Sequence, residues 1–221
     1  MRRLLPLLFL TLAFAGCCKR GKHSDNPPSF NESDLVGAWV CTEWVSGSNA
    51  PLSNPDISFE VNTDHTSVFH PGGAEAYPLT WAINGGKLEL SGYANLQECT
   101  LKKLDKKHFV WALKYDNGDQ AQASFTNLLQ ILPGRWKSVS ASLGEFDITI
   151  DASGTSTWVK GEAYPENIKW SLVFGNKKAR PFIKWEGVNV DFADSFDIGD
   201  VTDDRILMTS AMPDQVTFTR Q

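Results

Sequence analysis

The side chains best suited to chemistry here are four histidines, four cysteines and a ladder of aspartates. A metal centre needs three or four His, Cys or carboxylate ligands at spacings that let them converge on one ion. His23, His65, His70 and His108 are too scattered for that, and none stands at ligand spacing from Cys41 or Cys99. Nucleophilic catalysis needs a Ser or Cys beside a base, and phosphate chemistry needs a glycine-rich loop ahead of a helix. Neither pattern is visible. Asp191, Asp194, Asp197 and Asp200 recur every third residue, with Asp203 and Asp204 behind them. Closely spaced carboxylates bind calcium, yet this run lacks the glycine and glutamate placement of a calcium loop. The expectation is a solvated acidic edge, and a protein that is not an enzyme and uses no metal or cofactor.

One thiol stands apart. Arg2 and Arg3 precede an apolar run from Leu4 to Phe14, then Ala15-Gly16-Cys17. That pattern is a secretory leader, too short and wrongly flanked to span a bilayer. Phe14-Ala15-Gly16-Cys17 resembles a bacterial lipobox, in which the cysteine is lipidated and becomes the new N-terminus. The other cut, after Ala13-Phe14-Ala15, would leave a plain secreted protein. On the first reading, residues 1–16 are the signal peptide, Cys17 carries the lipid and residues 17–32 form a flexible tether. The address is then the bacterial cell envelope, on the outer membrane, with the lipid as membrane partner.

Composition narrows the remaining possibilities. The formal charge is −5 and the sequence pI about 5.4. With no basic face, nucleic acid is excluded as a partner. Lys19, Arg20 and Lys22 lie beside the expected anchor, where they either touch anionic head groups or simply solubilise the tether. An exported compartment permits a disulfide between Cys41 and Cys99. Both also suit a buried core.

The elements that must position all this come in two copies. Gly37-Ala38-Trp39 and Gly134-Arg135-Trp136 stand 97 residues apart. ISFEVNTDHTSVF at 57–69 lies over FDITIDASGTSTW at 146–158, and Trp81 lies over Trp170, both at an offset of 89. LKKLDKKHFVW at 101–111 matches IGDVTDDRILM at 198–208, and SFT at 124–126 matches TFT at 217–219. Colinear matches with compensating gaps mark an internal repeat. Each copy alternates apolar and polar residues in eight short runs separated by turn residues such as Asn84-Gly85-Gly86 and Asp116-Asn117-Gly118. Short strands with tight connections favour an up-and-down meander, which closes to remove its edges. The predicted fold is all-β: two tandem antiparallel eight-stranded barrels over 33–127 and 128–221. One helical turn, capped by Asn127, is expected between them.

Gly-x-Trp opening each eight-strand copy resembles the lipocalins, and most nearly the small lipocalin-like domains of exported Bacteroidetes lipoproteins. The resemblance implies that Gly37, Trp39, Gly134 and Trp136 build the barrel bases. It also implies that Arg220, near the end of the last strand, stacks on Trp136; the matching position in the first copy is Asn127. It further implies a small hydrophobic ligand, with Phe69, Trp81 and Trp111 as candidate lining residues and residues 46–56 as a lid. Against this stands a second reading, in which the barrels are filled and present loops to an envelope protein partner.

Overall fold

The structure, a computed structural model, describes residues 29–47, 49–72, 75–140, 144–160, 166–175, 180–188, 193–210 and 215–221. The expected signal peptide, Cys17 and most of the tether lie outside these residues, as do Asp191 and the side chain of Asp194. Among the described residues, no helix is long and apolar enough to cross a membrane.

The chain folds into two closed antiparallel barrels in tandem. The first comprises β1 (Gly37–Ser46), β2 (Leu52–Ser53), β3 (Ser58–Val61), β4 (Thr66–His70), β5 (Tyr77–Asn84), β6 (Lys87–Ser91), β7 (Leu96–Leu104), β8 (His108–Tyr115) and β9 (Gln120–Asn127), with β9 closing on β1. The second comprises β10 (Gly134–Ser140), β11 (Gly144–Ile150), β12 (Thr155–Val159), β13 (Glu166–Val173), β14 (Phe182–Gly187), β15 (Ala193–Val201), β16 (Arg205–Ser210) and β17 (Gln215–Arg220), with β17 closing on β10. Strand alternation sorts the faces. On β10, Trp136, Ser138 and Ser140 turn inward, while Arg135, Lys137 and Val139 face solvent.

The repeat read from sequence is a repeat in register. Trp39 pairs with Phe59 as Trp136 pairs with Ile148. Leu101 faces Trp111 as Ile198 faces Met208, and Trp39 faces Asn127 as Trp136 faces Arg220. The extra residues of the first copy differ from the expected lid. Leu52 and Ser53 pair with Trp44 and Glu43, so this segment lengthens the barrel wall. The physical cause is an exposed edge: β3 pairs only with Gly37–Val40, leaving the outer half of β1 free for β2.

Each barrel is plugged at one end by its Gly-x-Trp. The Trp39 indole donates to the Leu35 carbonyl at 2.7 Å, and the Trp136 indole to the Leu132 carbonyl at 2.8 Å. In the second barrel the Arg220 guanidinium lies 4.3 Å from the Trp136 ring centre. It donates to Asp203 O at 2.8 Å and Pro133 O at 3.2 Å, and also to Ile131 O. Gly134 is required there: its φ is +141°, and a Cβ would sit 2.5 Å from the Arg220 Nη1. In the first barrel Asn127 takes the same place with a shorter reach. A Cβ on Gly37 would meet its amide at 2.3 Å.

Asn127 also serves the second barrel. Its Oδ1 accepts from Leu129 N at 3.1 Å and so caps α1 (Leu128–Ile131), whose Leu128 and Ile131 are buried in the second core. Outward-facing Ala38 and Val40 of β1 pack into that same core. Arg180 donates across the joint to Cys41 O at 2.9 Å, His108 Nε2 lies 2.9 Å from Asp203 Oδ1, and His70 stacks on Phe174 at 5.1 Å.

Candidate ligand site at the mouth of the first barrel

An up-and-down barrel brings every second connection to the same end. In the first barrel the ends of β1, β4, β6 and β8 and the starts of β5, β7 and β9 therefore meet opposite the Trp39 floor. A cavity of about 360 Å³ opens there, lined by Phe69, Pro71, Tyr77, Tyr93, Ala94, Asn95 and Tyr115. A neighbouring cavity of about 420 Å³ shares Asn95 and Tyr115 and adds Ser46, Asp116, Asn117 and Asp119. Three of the chain's four tyrosines thus converge on one opening.

Local chemistry fixes these rings. Gly92, at φ +101°, brings the backbone close to Pro78, where a Cβ would meet the carbonyl oxygen at 3.1 Å. Asn95 follows in the left-handed region at φ +63°, a conformation asparagine tolerates. The Asn95 carbonyl then accepts from Asp116 N at 3.0 Å, tying the Tyr93 turn to the β8–β9 hairpin. Tyr93 packs edge-on against Phe69 at 5.3 Å, and Tyr115 lines the same cavity. Burial pushes both phenols above the ordinary tyrosine range, so the rings are neutral. Tyr77 is 48% exposed at the rim.

The predicted lining residues occupy different levels. Phe69 forms the cavity floor. Trp111 lies below it, against Phe59, Phe109 and Phe125, with an indole N–H that has no partner. Trp81 sits near the closed end, donating to Asn62 O at 3.2 Å, as Trp170 does to Asp151 O at 2.9 Å in the second barrel. From floor to mouth an aromatic column runs Trp39, Phe109, Trp111, Phe69, Tyr93, with steps of 4.7, 5.4, 6.2 and 5.3 Å. The tyrosines escape a reading by sequence matches because they lie at strand ends, outside the matched segments. The signal was available in the alternation of strand direction, which puts residues 77, 93 and 115 at one end.

The wall beside the mouth is thin. β6 and β7 pair only at Lys87 and Thr100, and a cavity of about 300 Å³ opens between them. The equivalent strands β14 and β15 pair over five positions, from Phe182–Asp197 to Glu186–Ala193. A larger crease, about 580 Å³, lies between the barrels and is bordered by Val36, Asp64, Leu129 and Phe174. It is made from outer strand faces and carries no comparable convergence of rings.

Cys41 and Cys99 are both buried free thiols. Burial pushes the Cys41 thiol up to about 12 and Cys99 upward as well. They are core side chains held protonated. Among the described residues no three His, Cys, Asp or Glu side chains gather at metal-binding distance. Asp203 instead meets His108. Comparison with family models, with curated proteins and with solved structures gave no match to this chain.

Proposed function

We propose that the protein is a non-catalytic, lipocalin-like binding protein of the bacterial cell envelope, anchored through lipidated Cys17 and taking a small molecule at the mouth of its first barrel. The observation that carries the binding reading is the aromatic cavity of Phe69, Tyr77, Tyr93 and Tyr115 above a filled core. Small-molecule sites are concave and mostly apolar, with a few placed polar groups. Here the rings supply apolar faces, and three phenol hydroxyls and Asn95 supply the polar groups. The filled aromatic column beneath means that the ligand sits in the mouth and does not descend into the barrel.

Titration of the full chain with an aromatic hydrophobic probe, followed through tyrosine and tryptophan emission, tests binding. Saturable binding that Tyr93→Ala weakens at least tenfold is expected. Saturable binding indifferent to Tyr93 and Tyr115 would move the site elsewhere. The anchor is tested separately: Cys17→Ser should release the mature protein from membranes, and unchanged membrane partition would contradict it.

The crease between the barrels favours a second reading, an envelope protein partner. Leu129 is 43% exposed there, beside Leu172 and Phe174. A Leu129→Asp variant that lost a co-purifying partner while keeping probe binding would support it.

A further inference from the structure

We infer that the mouth of the first barrel is a site for a small organic cation, a quaternary or protonated ammonium carried on an apolar body. The inference rests on the binding reading above and specifies its ligand.

Four aromatic rings border the opening: Phe69, Tyr77, Tyr93 and Tyr115. An aromatic face carries negative quadrupole potential, and several faces around one space form a cage that attracts a cation. The contiguous cavity adds the carboxylates of Asp116 and Asp119, and the two cavities meet at Asn95 and Tyr115. Among the described residues, no lysine or arginine lines either one. Lys114, the nearest basic residue in sequence, is exposed and alternates outward from inward-facing Leu113 and Tyr115. The field at the mouth is therefore negative with no internal counter-charge.

Other ligand classes fit less well. An anion would meet two carboxylates and no donor cation. A purely apolar ligand would fill the ring-lined half and leave Asp116 and Asp119 without a role. A cation uses both halves. Asp119 is already oriented: its Oδ2 accepts from Asn117 Nδ2 at 2.7 Å, and its backbone N donates to Asn117 Oδ1 at 3.0 Å. Tyr93 packs edge-on against Phe69 at 5.3 Å, and Tyr115 borders both cavities. The positive half of the guest then lies beside Tyr115, between the ring-lined cavity and the Asp116–Asp119 hairpin, and its apolar half toward Phe69.

The test is a matched pair. The full chain is titrated with benzyltrimethylammonium and with neopentylbenzene, its neutral carbon isostere, by calorimetry. The expected result is cation binding about tenfold tighter than the isostere, an advantage of the size cation–π contacts supply, and weaker in high salt. Asp119→Asn, a solvent-exposed change, should weaken the cation several-fold, leave the isostere unchanged and leave the melting temperature in place, and Tyr77→Leu should weaken the cation several-fold more than it weakens the isostere. Equal or tighter binding of the neutral isostere overturns the cation inference and leaves the binding reading standing. Binding of neither at millimolar concentration overturns both.

Discussion

The two barrels share a strand register and differ in what fills it. In the first, Trp39, Phe59, Phe69, Phe109, Trp111 and Phe125 build an aromatic column that reaches an open mouth. In the second, the buried rings Trp136, Phe146, Trp170, Trp185, Phe196 and Phe218 are interleaved with Ile148, Ile150, Ile168, Ile183, Ile198 and Ile206, and the floor is clamped by Arg220. Duplication kept the pairs that set the backbone and released the positions that set contents. The lesson is that backbone repetition is enforced by register, whereas the choice of ring or branched side chain inside is free so long as volume is conserved.

The sharpest break in symmetry is at the floors, so the largest effect is expected there. Arg220→Met keeps the stem but removes the guanidinium from three carbonyls and the Trp136 face. It should destabilise the second barrel by about 2–3 kcal/mol, since hydrogen bonds from charged groups are worth about 1.5–3 kcal/mol. Asn127→Ala should cost about 1–2 kcal/mol, mostly through the lost cap of α1. Because that cap serves the second core, barrel-resolved hydrogen exchange should show the loss in α1 and β10 as well as in the first barrel. A loss confined to the first barrel would break this account of Asn127.

The thin seam gives the next difference. Amides of β6 and β7 should exchange by local opening at a free energy about 1–2 kcal/mol below those of β14 and β15, for lack of ladder hydrogen bonds. Equal protection would mean that the single Lys87–Thr100 pair understates the seam.

Smaller still is the exchange of Cys41 for Ser138 at equivalent inward positions. Ser138 is fully buried and its hydroxyl has no partner, whereas the Cys41 thiol lies 3.2 Å from Glu43 O. Ser138→Cys should stabilise the second barrel by about 1 kcal/mol, and Cys41→Ser should destabilise the first by a similar amount. The Cys41 thiol also predicts a pH effect. Its folded value is raised, so unfolding exposes a thiol that ionises near 9. Stability is intact below pH 9 and falls as pH rises toward 12; Cys41→Ser should make that limb shallower, with buried Cys99 supplying the remaining slope.

The smallest effect concerns one turn. His65 holds φ +64° where the second barrel has Gly154 at +89°. His65→Gly relieves backbone strain but removes the ring from Trp81, 4.7 Å away. The two should offset to within about 0.5 kcal/mol in thermal unfolding.

Much of the fold was legible in the sequence because period-2 alternation and turn residues were both strong. The sixteen main strands could be placed near their observed bounds, and the Arg220–Trp136 contact followed from a resemblance carried by Gly134 and Trp136. What was not legible depends on contacts distant in sequence. β2 forms because β3 is too short to cover β1, which no local pattern in Leu52-Ser53 announces. Trp81, matched by Trp170, and Trp111, with no tryptophan counterpart, looked like lining residues, whereas packing places them in the core and gives the mouth to tyrosines at strand ends. The cap by Asn127 was legible, but at the floor Asn127 looked only like a lost arginine, whereas it also plugs the first barrel against Gly37.

The most direct test of the central claim, that the first barrel holds the ligand site at its open end, is a two-dimensional NMR titration of the full chain with benzyltrimethylammonium. Saturable shifts clustered at residues 69–71, 77, 92–96 and 115–119 are expected, with the amides around Trp136 and Arg220 unmoved. Shifts centred on the second barrel or on the crease at Leu129, or none at saturating concentration, would contradict it.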